Sequence, residues 1–132
     1  MLEYLEQQVF SRVKNQFSPS IKENFPKLEF TTDSKRTNNI ANFPLVFMFS
    51  LTSPETSKDL ERTQINGVTG TFQIEVSDNE SQSRARTVMT EVIRVMKTMR
   101  FDVLTMPIPA DYGGVYRLVA RFRRSIDETD IL

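Results

Sequence analysis

At 132 residues, with 17 basic and 17 acidic side chains, the chain has the length of one domain and no net charge. It contains neither cysteine nor histidine, which excludes disulfides, thiolate nucleophiles, imidazole metal sites and a conventional catalytic triad. Balanced charge exerts no global pull on nucleic acid or anionic lipid, so any such contact has to be local.

The chain opens with Leu2, Leu5, Val9, Val13 and Phe17 one helical turn apart and Phe10 beside them. This spacing predicts a surface-packed helix over residues 2–17. Ser18-Pro19-Ser20 ends it, because proline disfavours helical geometry in the residue before it. Residues 21–25 suit a short extra turn, and Lys27-Leu28-Glu29-Phe30-Thr31 alternates as a brief strand. Residues 32–42 are polar and read as a surface loop. After Pro44 the run Leu45-Val46-Phe47-Met48 is apolar on both faces. Such a strand belongs inside a sheet, or lays one face on helices and the other against a neighbour.

Residues 52–70 are polar, with Leu60, Ile65 and Val68 as apolar anchors and Gly67 and Gly70 read as turn glycines. A connection this long is a protruding hairpin or a long loop, and such segments are often functional. Thr71-Phe72-Gln73-Ile74-Glu75-Val76-Ser77 then alternates strictly, as a half-buried strand does. The period changes at Ser77-Asp78-Asn79-Glu80-Ser81, residue types that cap a helix start. Ala85, Val88, Met89, Val92, Ile93, Met96 and Met99 follow at spacings of three and four, with Glu91 and Arg94 on the polar side.

Residues 101–106 read as an extended return, which Pro107 and Pro109 confine to a sheet edge. Gly113-Gly114 marks a turn into the last strand, residues 115–124. There Tyr116, Leu118, Ala120 and Phe122 share one face, and Arg117, Val119, Arg121 and Arg123 the other. Residues 126–132 form an acidic tail, frayed or docked on a partner.

The expected fold is a single α+β domain over residues 1–132. It has a mostly antiparallel sheet, two main helices on one face, and a long loop or protruding hairpin. No apolar run approaches the roughly 20 residues that cross a bilayer, and the first residues lack the basic-then-apolar order of a leader, so no membrane contact is expected. No phosphate-binding glycine loop, nucleophile elbow or calcium-loop spacing occurs, and no cofactor is expected. The arginine row Arg117, Arg121 and Arg123, opposed by Gln73 and Glu75, is the constellation to weigh. It suits either phosphate contact or pairing with acids across the sheet or between subunits.

The element order resembles that of the tail-terminator and tail-completion proteins of tailed bacteriophages, with their minor tail and head-tail joining relatives. The resemblance rests on the leading helix, Phe43-Pro44-Leu45-Val46-Phe47, the polar excursion and the TFQIEV strand. It continues through the helix with Arg84-Ala85 and Val92-Ile93 to the closing VYRLVARFRRSID strand. One departure is Met99-Arg100-Phe101, where that family often carries a glycine before the aromatic.

The resemblance implies a virion protein made in the host bacterial cytoplasm that acts without an active site. It would form a ring, commonly a hexamer, that caps the tail tube protein, ends tube polymerisation and meets the head-tail connector protein in the neck. DNA would pass through the lumen. Candidate contact residues are then Arg117, Arg121, Arg123, Glu75, Gln73, Val46, Met48, Ile65 and Val68. The alternative is a small binding module that docks a peptide or nucleic acid on its arginine-bearing sheet face.

Overall fold

A computed structural model describes residues 5–33, 42–51, 67–111 and 113–127. In chain order the elements are α1 (Leu5–Gln16), α2 (Pro19–Asn24), β1 (Glu29–Thr31), β2 (Leu45–Ser50), β3 (Gly67–Asp78), α3 (Gln82–Thr98), β4 (Asp102–Pro109) and β5 (Tyr116–Asp127). The strands form one sheet in the order β1-β2-β3-β5-β4. Three of its four pairings are antiparallel, and β1 and β2 run parallel. The fold is therefore α+β with a mostly antiparallel sheet. No helix among the described residues is long and apolar enough to cross a membrane.

Alternation in β3 and β5 commits one sheet face to the helices. Phe72, Ile74 and Val76 of β3 and Leu118, Ala120 and Phe122 of β5 are all buried. They join Leu5, Val9 and Val13 of α1 and Ala85, Val88, Met89, Val92, Val95 and Met96 of α3 in one core cluster. Fully burying a side chain such as Phe72 or Phe122 stabilises the fold by about 2–3 kcal/mol.

Two expectations change with the strand ends. Gly67 and Gly70 lie within β3. A Cβ at Gly70 would stand 2.8 Å from Ile126 Cδ1 and 3.3 Å from Leu5 Cδ2, so the glycine admits α1 and β5 to the strand surface. Likewise β5 continues through Ser125 and Ile126, and Ile126 is buried instead of fraying with the tail. Gly113 and Gly114 are the turn expected of them, with φ of 56° and 80°. Residues 52–66, which hold most of the anticipated loop or hairpin, and residues 128–132 lie outside the described residues.

Both ends of α3 are closed by short-range bonds. Asp78 accepts the backbone N–H groups of Glu80 and Ser81 at 2.9 and 3.1 Å, and Ser81 Oγ accepts that of Arg84 at 3.2 Å. Arg84 Nε in turn donates to the fully buried Asp78 carboxylate at 3.1 Å, and its guanidinium lies 4.9 Å above the Phe25 ring. At the other end Arg100 N–H reaches Lys97 O and Phe101 N–H reaches Met96 O, the paired bonds of a Schellman turn. That turn places Arg100 at a φ of 65°, a conformation that suits glycine.

Glu91, read from the sequence as part of the polar helix face, is buried. Its carboxylate accepts Ser18 N–H at 2.6 Å and Ser18 Oγ–H at 2.8 Å, and two bonds from Arg94 at 2.7 and 3.0 Å. Arg94 also donates to Gln16 O at 2.8 Å. One turn of α3 thereby holds the end of α1 and the start of α2. The Arg94 bonds, reinforced by Ser18 and opposed by burial, hold the Glu91 pKa at about 2 against an ordinary 4.5.

Because the folded-state pKa is depressed, this contribution to stability is complete above pH 4.5 and fades as pH falls towards 2. Allowing for solvent access, we expect Glu91→Gln to cost on the order of 2 kcal/mol at neutral pH. Urea unfolding of both proteins from pH 7 to pH 3 should show the gap narrow only below pH 4.5.

Candidate functional site

The sheet face turned away from the helices carries the residues singled out from the sequence. Register sets Arg117 opposite Ser77, Val119 opposite Glu75, Arg121 opposite Gln73 and Arg123 opposite Thr71. The arginines and their β3 partners thus form a continuous polar strip. Arg121 Nε donates to Gln73 Oε1 at 2.9 Å, and Gln73 Nε2 donates to a Glu75 carboxylate oxygen at 3.0 Å. Arg117 Nε stands 3.8 Å from the other Glu75 oxygen and donates to Ser77 Oγ at 3.2 Å.

Pairing across the sheet is therefore realised at Arg117, whose side chain is 20% exposed beside a Glu75 that is 16% exposed. Arg121 and Arg123 are exposed, and Arg123 has no ion pair among the described residues. Among the described ion pairs of this face only Arg117 has an acid, while Asp102 on β4 stands opposite Arg123.

The remaining candidates separate from this strip. Val46 and Met48 were expected at a subunit contact, but each is only 1% exposed within the helix-side core. Their register partners Val76 and Ile74 face the helices, which removes both from any surface. The opposite side of β2 carries Leu45, Phe47 and Phe49, with the Phe47 and Phe49 rings stacked 5.2 Å apart. Val68 lies in β3 opposite Ile126, and Ile65 lies outside the described residues.

An apolar edge next to the strip was not recognised from the sequence. Strand β4 closes the sheet and exposes Leu104, Met106 and Ile108, at 47%, 68% and 54%. Residues 103–110 contain no charge, whereas edge strands that stay unpaired are usually guarded by charged side chains. Register shifts flank Thr105, and Pro107 and Pro109 withhold two amide donors, so the edge is irregular as well as apolar.

Nothing comparable to a reaction centre assembles among the described residues. A shallow pocket of about 340 Å³ lies between Phe25, Lys27, Phe43, Glu80 and Arg84. Its guanidinium is already paired with Asp78 and with Glu80 at 3.2 Å, which leaves little charge for a ligand. The buried acids Asp78 and Glu91 are occupied by backbone amides and arginines. No group of three metal-ligating side chains converges among the described residues.

Compared with known protein families and with curated proteins, the chain matches none.

The strip separates exposed from half-buried charge, and mutation should resolve the two. Arg121→Ala is expected to change stability by less than about 1 kcal/mol, since an exposed side chain gives up little. Glu75→Ala should cost about 1–2 kcal/mol, because it leaves the half-buried Arg117 without its acid. Urea midpoints of the two variants measure the contrast.

Proposed function

We propose that this protein is a non-enzymatic structural subunit of a bacteriophage virion. In this reading it closes as a ring on the end of the tail tube, stops tube growth and presents its other side to the head-tail connector. The observation that carries the reading is the division of the sheet. Helices α1 and α3 bury one face, while the other carries an ordered charged strip beside an edge that is apolar and uncharged over residues 103–110. A subunit that builds a ring needs two different patches, one to meet the other on the next copy, and needs no cleft.

The α+β architecture with its mostly antiparallel sheet accords with the resemblance to tail terminators. The helix end departs from that family at Arg100, which nonetheless holds the positive φ that suits a glycine. Local charge on the sheet also suits contact with passing DNA in a lumen, without requiring a basic protein.

Native mass spectrometry of the protein, alone and with purified tail tubes, tests the proposal. We expect a closed oligomer, with six copies the leading expectation, either free or formed on the tube, and tubes that no longer elongate once capped. A protein that stays monomeric in both settings and leaves tube growth unchanged would contradict it. Salt-sensitive binding of a peptide or oligonucleotide by such a monomer would instead favour a binding module.

A further inference from the structure

An acid and a base stand side by side on the open sheet face without pairing. Register sets Asp102 of β4 directly opposite Arg123 of β5. Both side chains are exposed, and neither has an ion pair among the described residues. Two residues back on β5, Arg121 is engaged through Nε, by Gln73.

Next to these charges Leu104, Met106 and Ile108 are 47%, 68% and 54% exposed, and Ile108 stands in register with the half-buried Val119. Together the three leave on the order of 300 Å² of apolar surface to water, a patch of the size that marks an interaction site. Pro107 and Pro109 carry no amide hydrogen, so a strand added at the edge would find the ladder short of donors. The side-chain face of β4 is the better docking surface.

Charge identifies what docks there. A phosphate polymer would suit Arg121 and Arg123, but Asp102 would repel it and the apolar edge would gain nothing from it. A second copy of the patch fits every feature. Turned over about a two-fold axis that runs along the strands between β4 and β5, it brings Asp102 over Arg123 and Arg123 over Asp102. The same operation lays Leu104 and Ile108 of one copy over the Arg121 stem and Val119 of the other, and arginine methylenes cover apolar side chains well. Packed sheets lie about 10 Å apart with their strands nearly aligned, a spacing that these side chains span.

We infer that two copies pair face to face through β4 and β5, with Asp102 of each against Arg123 of the other. The contact is isologous, each patch meeting its own duplicate, so it closes at two copies. This goes beyond the ring reading. It occupies the face that ring neighbours would share, so the pair is a form of the free protein that opens before a ring closes. A stable interface covers about 800 Å² per partner, of which the apolar patch supplies less than half. The flanking charges are therefore needed, and salt should loosen the pair.

Charge exchange in the full chain tests the inference. Asp102→Arg alone sets arginine against arginine across the contact, and Arg123→Asp alone sets acid against acid. An equimolar mixture of the two variants restores both ion pairs in a mixed pair. The readout is sedimentation velocity and native mass spectrometry at about 0.1 M salt and protein concentrations up to about 0.1 mM. The wild type should form a two-copy species. Each variant should associate about tenfold or more weakly, and the mixture should recover most of the loss as a one-to-one species. Met106→Lys should also weaken pairing about tenfold, since it carries a charge into the apolar contact.

A wild type that stays monomeric in free solution, or passes to larger rings with no two-copy species, would overturn the inference, while rings closed on tubes would leave the ring reading standing. Variants that pair as the wild type does, or a mixture no better than its parts, would overturn it as well. A pair that forms as expected, with no ring on tubes, would support the inference and remove the ring. Circular dichroism checks folding of the variants. Milder Asp102→Asn and Arg123→Gln versions, which should weaken pairing without a rescue on mixing, keep the test decisive if an exchange misfolds.

Discussion

Twelve consecutive residue pairs join β3 to β5, from Gly67 with Asp127 to Asp78 with Tyr116. Each strand alternates, so a single register decides which side chains enter the core and which remain outside. A shift by one residue would turn Phe72, Ile74 and Val76 towards water and bring Gln73 and Glu75 under the helices. Burial of unpaired polar groups makes that shift costly, and the register is fixed as a result. The helices then settle on the apolar side, and Gly70 lets α1 and β5 approach closely enough to close the core.

From the same constraint follows the surface that gives the molecule its character. Residues excluded from the core assemble into a ladder of arginine, glutamine and glutamate, held by hydrogen bonds of 2.9–3.0 Å and a looser ion pair at 3.8 Å. Beside it, β4 ends the sheet with exposed apolar side chains and, beyond Asp102, without charges. Three charged side chains elsewhere among the described residues are committed to architecture. Asp78 closes the start of α3, Glu91 ties α3 to the junction of α1 and α2, and Arg124 donates from β5 to Met99 O at the end of α3.

Much of this was legible in the order of residues because periodicity is a local property. The alternation of residues 71–77 and 115–124 and the three-four spacing of residues 85–99 located the two long strands and α3, and parity alone assigned the arginines to one face. Features that depend on distant partners were not legible. Glycine in a turn and glycine beneath a crossing helix look alike until Leu5 and Ile126 are placed against Gly70. Glu91 looks solvated until Ser18 arrives from the other helix junction. In Leu45-Val46-Phe47-Met48 every residue is apolar, so the run does not say which pair faces the helices; register with Ile74 and Val76 chooses Val46 and Met48. Pairing of Arg121 with Gln73 likewise required knowing that β5 lies beside β3.

What remains is whether the polar strip is where copies of the protein meet. Arginine-selective labelling, quantified by mass spectrometry below and above the concentration of self-association, addresses this directly, with the exposed Arg86 of α3 as the internal reference. Arg121 and Arg123 should react as readily as Arg86 in the dilute protein and become protected on association, while Arg86 continues to react. Unchanged labelling of Arg121 and Arg123 in the associated protein would contradict the proposed role of this face.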